Sequence, residues 1–380
     1  MDFSLLDRYL DSLLAAGLPM YDCIVWQNHG EIYRRCGGYA DVAEKRRHEP
    51  GTKYFLYSCT KPVTTAAVMT LIEAGKCRLN DPLSAYLPEF AEMTVAESAP
   101  DGTVTTRPAA TKILVRDLFT MTAGFNYNLN APSIKEAVAA ADGRPTTRDV
   151  VRALAKEPLS FDPGDRWQYS LCHDVLAAFA EEVSGRRFAD FVRETVLAPL
   201  GMEDTAYHLT EATASRMAKQ YRYEAQRRQA VPVPLVNNFV FGDRYDSGGA
   251  GIVSTVEDYI LFADAMANGG EGKNGARILA PETVELWRTP ALTPHAARTF
   301  NWAQFAGCSY CFGIQRLTDR AAAGAAAPLG VCGWNGAAGS MAMISPETGV
   351  SVFCAQHALT PPEETVFPAL RNVVFACLRR

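Results

Sequence analysis

The sequence predicts an α/β fold in which an antiparallel sheet flanked by helices is interrupted by an inserted all-helical domain. Three observations lead there. Hairpin-like β patterns lie near both ends of the chain, helical patterns fill its middle, and amphipathic helices open and close it. Residues 1–75 and 240–380 would build the sheet domain, and 76–239 the helical insert, with a cleft between them. At 380 residues the chain is long for one core, and 48% hydrophobic with 21% charged residues is an ordinary globular balance.

The elements follow in order. Leu5, Leu6, Tyr9, Leu10, Leu13 and Leu14 recur at helical spacing. Acids stand where a secretory leader would carry positive charge, so this start reads as a packed helix rather than a signal peptide. Tyr21–Gln27 and Glu31–Gly37 flank Asn28-His29-Gly30, a hairpin signal. A third β-like run, Lys53–Tyr57, leads into a helical pattern from Cys59 to Ala74 that Gly75 stops. The middle reads as helices over Val115–Met121, Thr147–Lys156, His173–Val183 and Phe188–Leu197, separated by connectors such as Asp162-Pro-Gly-Asp165. After the glycine-rich turn Ser247–Gly251, Ser254 or Thr255 can cap a helix running towards Ala267. Met341–Ser345 and Val350–Ala355 flank Pro346-Glu-Thr-Gly349 as a second hairpin, and Glu363–Arg379 closes the chain as a helix.

Composition removes several function classes. The net charge is -5 with no basic stripe, which argues against nucleic acid as a partner. No apolar run reaches membrane-spanning length. Ten cysteines are scattered, and the one close pair, Cys308-x-x-Cys311, has no second pair or histidine cluster beside it. Neither a metal site nor a redox motif is expected, and no cofactor is implied. The cysteines read as packing thiols of a reduced, cytoplasmic protein, a processed secreted chain being the alternative. A small molecule is the expected partner.

One motif carries chemistry. In Ser58-Cys-Thr-Lys61 a spacing of three places serine and lysine on one helical face where a strand gives way to a helix. A helix N-terminus offers unpaired N–H groups to a developing oxyanion, and a desolvated lysine loses its proton more easily. Alone, such a motif occurs by chance. It is joined, in order, by Val115-Arg-Asp-Leu-Phe-Thr-Met-Thr-Ala-Gly124, Asp162-Pro-Gly-Asp-Arg-Trp-Gln-Tyr-Ser170, Val183-Ser-Gly185, Pro199-Leu-Gly-Met-Glu-Asp-Thr205, Gly248-Gly-Ala-Gly-Ile-Val-Ser-Thr255 and Gly333-Trp-Asn-Gly-Ala-Ala-Gly339.

Together these segments resemble the serine β-lactamase and penicillin-binding-protein superfamily, in its class C-like branch. The motifs are most similar to those of its family VIII-type carboxylesterases. The resemblance implies a serine β-lactamase-like fold. It also implies that Ser58 is the acylated nucleophile, with Lys61 activating it and Tyr169 sharing the acid/base work beside the lysine's positive charge. The N–H groups of Ser58 and Ala337 would then form the oxyanion hole. Two departures stand out. Leu171 replaces the asparagine two residues after the tyrosine, and Trp334-Asn335-Gly336 replaces the cation-hydroxyl-glycine motif that anchors a substrate carboxylate. An indole cannot make that charge-assisted pair. Leu171, Trp334, Asn335 and Gly336 are therefore the expected substrate-binding positions, and a small ester the expected substrate. The alternatives are a β-lactam, a D-amino peptide, acyl transfer to another acceptor, or a β-lactam-binding sensor that does not turn over. His173 and His357 are weaker pocket candidates, and Asp246-Ser-Gly-Gly249 reads as a tight turn.

Overall fold

The structure, a computed structural model, describes residues 1–378. An eight-stranded sheet is its centre, built from Met20–Gln27 (β1), Gly30–Asp41 (β2), Arg46–Arg47 (β3), Cys308–Tyr310 (β4), Gln315–Leu317 (β5), Cys332–Asn335 (β6), Met341–Ser345 (β7) and Val350–Ala355 (β8). The strand order is β4-β5-β6-β7-β8-β1-β2-β3. Every adjacent pair is antiparallel. The two hairpins read from the sequence are thus joined by β1 pairing with β8, in the register Ile24↔Phe353.

β1, β7 and β8 are buried along nearly their whole length, as strands covered on both faces are. Ser4–Ala15 (α1) and Glu363–Leu378 (α5) pack together over the sheet, and Tyr9 donates a hydrogen bond to the Val366 carbonyl at 2.9 Å. Leu6, Leu10 and Leu13 of α1 are buried. Val256–Ala267 (α4) packs against β1, β7 and β8, and the Thr255 side chain accepts the Asp258 amide at its start. Arg379, the expected last residue of α5, lies outside the described residues. Thr60–Glu73 (α2) packs against Cys172–Ser184 (α3), the helix that follows Tyr169.

The segment 76–239 is less purely helical than the sequence predicts. Besides helices it holds the hairpin Thr94–Ser98/Val104–Pro108 and a second hairpin, Tyr221–Glu224/Gln229–Pro232. The first is polar and mostly exposed, so it carries no apolar alternation to read. The second pairs in parallel with Ala358–Leu359 and so attaches to the C-terminal part of the chain. The helix expected over Phe188–Leu197 is α-helical to Val192, widens to a π turn over Arg193–Leu197 and ends at Gly201 in a left-handed conformation. Lys53–Tyr57 gives only a two-residue strand, Tyr54–Phe55, before the chain turns. No helix among the described residues is long and apolar enough to cross a membrane.

Candidate active site

Ser58 sits in a 3-10 turn, Tyr57–Cys59, at the mouth of α2. Its neighbour Tyr57 has φ of +48°, a conformation that non-glycine residues rarely adopt and that marks a position held by its surroundings. Those surroundings are specific. The Tyr57 hydroxyl donates to Gln220 Oε1 at 2.5 Å, and its ring meets Phe239 edge-on at 5.8 Å. The Leu56 amide donates to the Ile252 carbonyl at 3.0 Å, and Thr60 Oγ1 accepts the Ile252 amide at 3.0 Å. The strand end, the helix start and the glycine-rich turn therefore fix one another.

Three side chains converge on the Ser58 hydroxyl. Lys61 Nζ lies 3.2 Å from Ser58 Oγ, and the Tyr169 hydroxyl donates to the same oxygen at 2.6 Å. Lys61 is fully buried; its ammonium also donates to the Gly249 carbonyl at 2.7 Å and lies 3.5 Å from the Tyr127 hydroxyl. Burial lowers the Lys61 pKa from 10.5 to about 7, while the nearby Asp174 carboxylate acts in the opposite direction. Burial likewise pushes the Tyr169 phenol up, opposed by its hydrogen bonds to Ser58 and Trp334. Near neutral pH this arrangement offers an amine able to accept the Ser58 proton and a neutral phenol able to donate one.

The third element is the turn between β6 and β7. Gly336 N–H donates to the Ser340 carbonyl at 2.8 Å, and Ser340 Oγ donates to the Leu56 carbonyl at 3.0 Å, so this turn is clamped onto the residues before Ser58. A Cβ at Gly336 would lie 2.2 Å from the Leu56 oxygen, which is why only glycine fits. The Ala337 amide follows directly. Among the described residues, neither it nor the Ser58 amide has a hydrogen-bond partner.

The expected substrate-binding positions separate. Gly336 and Ala337 are beside Ser58 through the Leu56 contact. Trp334 is only 2% exposed: it stacks between Tyr169 (5.8 Å) and Phe305 (4.7 Å), and its indole N–H is 3.4 Å from the Tyr169 hydroxyl. Asn335 is half-buried at the end of β6, paired with Met341. Leu171 does not reach the cleft. It is 2% exposed, packs in the core, and its amide donates to the Asn126 carbonyl at the start of α3. His173 is buried against the Phe119 carbonyl at 3.4 Å. His357 Nε2 accepts the Phe55 amide at 3.2 Å. Both are structural. Asp246 is an anchor, paired with Arg187 and with His208 at 2.7 and 2.6 Å. Cys308 lies in β4 with its thiol pushed up by burial, and among the described residues no cluster of His, Cys, Asp or Glu is placed to hold a metal ion.

Sequence reasoning missed Tyr127, which stacks on Tyr169 at 5.4 Å, and Asp174, whose carboxylate accepts from the Tyr245 and Ser247 hydroxyls at 2.8 and 2.7 Å. It also missed Trp302, which meets Tyr169 at 5.1 Å. The spacing of five from Tyr169 to Asp174 places the latter in the first turn of α3, a signal available only once Tyr169 is on the page.

A family profile described as Beta-lactamase matches residues 6–373, and the chain belongs to that family. It is a serine hydrolase of it. Esterase EstB of Burkholderia gladioli is 30% identical over 401 residues, covering 98% of this chain and 94% of the relative. The solved structure of EstCE1, described as a hydrolase with promiscuous acyltransferase activity, superposes with a TM-score of 0.77 at 25% identity, covering 98% of both chains. A simvastatin synthase mutant from Aspergillus terreus shares the fold, with a TM-score of 0.82 at 21% identity over 99% of this chain and 97% of its own.

Proposed function

We propose that the protein is a carboxylesterase that forms an acyl-enzyme on Ser58. The observation that carries this reading is the Ser58 hydroxyl held between Lys61 Nζ at 3.2 Å and the Tyr169 hydroxyl at 2.6 Å. Unprotonated Lys61 takes the Ser58 proton as Oγ attacks the ester carbonyl. The carbonyl oxygen, now negative, turns to the free amides of Ser58 and Ala337. As the ester C–O bond breaks, Tyr169 protonates the leaving alkoxide and recovers a proton from the Lys61 ammonium, both groups being within hydrogen-bond reach of Ser58 Oγ. Water then attacks the acyl-enzyme with the roles reversed. In this reading 1–75 and 240–380 supply Ser58, Lys61 and Ala337, and the insert 76–239 supplies Tyr169.

Trp334 favours an ester over a β-lactam, because it presents an indole where a carboxylate would need a cation. EstB's description as an esterase supports the same choice. Acyl transfer to an alcohol is a second reading, favoured by the activity described for EstCE1 and by the aromatic walls around Ser58. The test is hydrolysis of p-nitrophenyl butyrate and of nitrocefin by wild type and Ser58→Ala. Fast Ser58-dependent ester turnover with poor nitrocefin turnover is expected; efficient nitrocefin turnover would make the protein a β-lactamase instead.

A further inference from the structure

Among the described residues Trp302 is the one exposed aromatic side chain, 36% open to solvent. The chemistry on Ser58 gives it no role. Its ring meets Tyr169 at 5.1 Å and Trp334 at 6.5 Å, and Tyr169 meets Trp334 at 5.8 Å, so the three ring centres make a triangle. The three differ in what they show to solvent. Trp334 is buried, Tyr169 is half-buried with its hydroxyl 2.6 Å from Ser58 Oγ, and Trp302 is open. An aromatic surface therefore runs outward from the nucleophile along Tyr169 and ends on the Trp302 indole.

That indole is held in place. Trp302 lies between the 3-10 turns Ala296–Thr299 and Ala303–Phe305. Thr299 Oγ1 accepts the Trp167 amide at 2.8 Å, which ties this loop to the segment carrying Tyr169. The Phe305 amide donates to the Trp302 carbonyl at 2.9 Å. The ring's buried neighbours are Trp167, edge-on at 5.3 Å, and Phe305, stacked at 5.9 Å. A lone exposed apolar side chain is ordinary, but one continuous with the wall of a cleft marks a binding surface. A second ring placed against this indole gains ring–ring attraction beyond the area it buries.

Tyr169 decides which half of an ester meets it. If its hydroxyl protonates the leaving alkoxide, the alcohol portion lies along Tyr169 and towards Trp302. The acyl carbonyl points to the Ser58 and Ala337 amides, and Ala337 packs in a separate cluster with Tyr57 and Phe239. The two halves of the ester thus meet different walls.

We propose that Trp302 is a specificity-determining residue on the leaving-group side of Ser58 that receives a flat aromatic ring, so that the preferred esters are those of arylalkyl alcohols. The proposal rests on the esterase reading and adds a substrate class to it.

The test compares 3-phenylpropyl butyrate with 3-cyclohexylpropyl butyrate by acid release. The ring is three carbons from the reacting oxygen, so the two alcohols leave with similar ease. Cyclohexyl is the more apolar ring, and burial alone therefore does not favour phenyl. Wild type should favour the phenyl ester about 5-fold in kcat/KM, the order of one aromatic pair. In Trp302→Leu the ratio should fall to about 1 or below, and Trp302→Phe should keep most of it. With the rings moved to the acyl side, in propyl 4-phenylbutanoate and propyl 4-cyclohexylbutanoate, wild type should show no preference. Because each enzyme is compared with itself, partial loss of folded protein leaves the ratios readable. Ser58-dependent turnover with no preference for the phenyl alcohol overturns the subsite, as does a preference that survives in Trp302→Leu. A phenyl preference in the acyl-side pair overturns its placement on the leaving-group side. Absence of Ser58-dependent turnover of all four esters overturns the esterase reading, and the subsite with it.

Discussion

Replacing Lys61 with methionine should abolish hydrolysis and make the protein more stable at neutral pH. Lys61 is fully buried, and desolvation takes its pKa from 10.5 to about 7. A change of that size corresponds to roughly 5 kcal/mol, at about 1.4 kcal/mol per pH unit. The sign follows from proton counting. Between about pH 7 and 10.5 the unfolded chain holds the lysine proton and the folded chain does not, so wild-type stability rises with pH across that window. Below about 7 the full penalty is present. Methionine has a similar shape and no charge, but it leaves the Gly249 carbonyl without the donor now at 2.7 Å, which costs about 1–3 kcal/mol. The net gain at pH 7 is therefore ~2–4 kcal/mol. Urea denaturation of both proteins from about pH 6 to 10 should show the gain shrinking as pH rises and reversing near the alkaline end. A Lys61→Met variant less stable than wild type at pH 7 would refute the argument, since it would mean that the site solvates the ammonium better than its burial implies.

Other outcomes follow from the same geometry. The pH profile of kcat/KM should rise through an acidic limb near the Lys61 value of about 7. Asp174→Asn removes the carboxylate that holds that value up, so the limb should move to lower pH; a limb that stays or moves up speaks against the coupling. Tyr169→Phe should lower kcat by about 10²–10⁴-fold in single-turnover acylation, because the hydroxyl bonded to Ser58 Oγ is lost while the ring stack remains. Gly336→Ala should lower kcat about 100-fold with a smaller change in KM, because its Cβ would collide with the Leu56 carbonyl and displace the Ala337 amide. An unchanged kcat would remove Ala337 from the oxyanion hole.

Much of this was legible before the fold. The Met341–Ser345/Val350–Ala355 hairpin keeps its sequence-derived limits because a short turn joins two continuous apolar runs. α2 begins where Pro62 requires, since a proline is tolerated in the first turn and excluded from the interior. Ser58 and Lys61 meet because a spacing of three is local geometry. Tyr169 was found by the order of segments, since 111 residues of chain separate it from Ser58 and no periodicity bridges that gap. Tyr127 and Trp302 had no such signal: each is an aromatic in a loop, and only packing shows which ring it touches. Leu171 misled for the opposite reason. Its position beside Tyr169 implied the cleft, yet the turn into α3 rotates it into the core. The direction of the Tyr169 pKa was also beyond the sequence, because burial raises it against the hydrogen bonds to Ser58 and Trp334, and burial is a property of the whole fold.

The substitutions around the site form one argument about charge. A site that receives a carboxylate needs a fixed cation near the Gly336 turn, and here β6 supplies Trp334, stacked between Tyr169 and Phe305. Inserting a lysine there would bury a charge between two rings with no partner. Among the described residues, the ammonium in contact with Ser58 is that of Lys61, which is already held by the Gly249 carbonyl and has its pKa lowered by burial to about 7. Each feature alone permits a neutral ester. Together they leave the Gly336 turn without a fixed cation for a substrate carboxylate while the Ser58, Lys61 and Tyr169 contacts stay in place, so the residues expected to set selectivity and those expected to carry acyl chemistry can be altered separately.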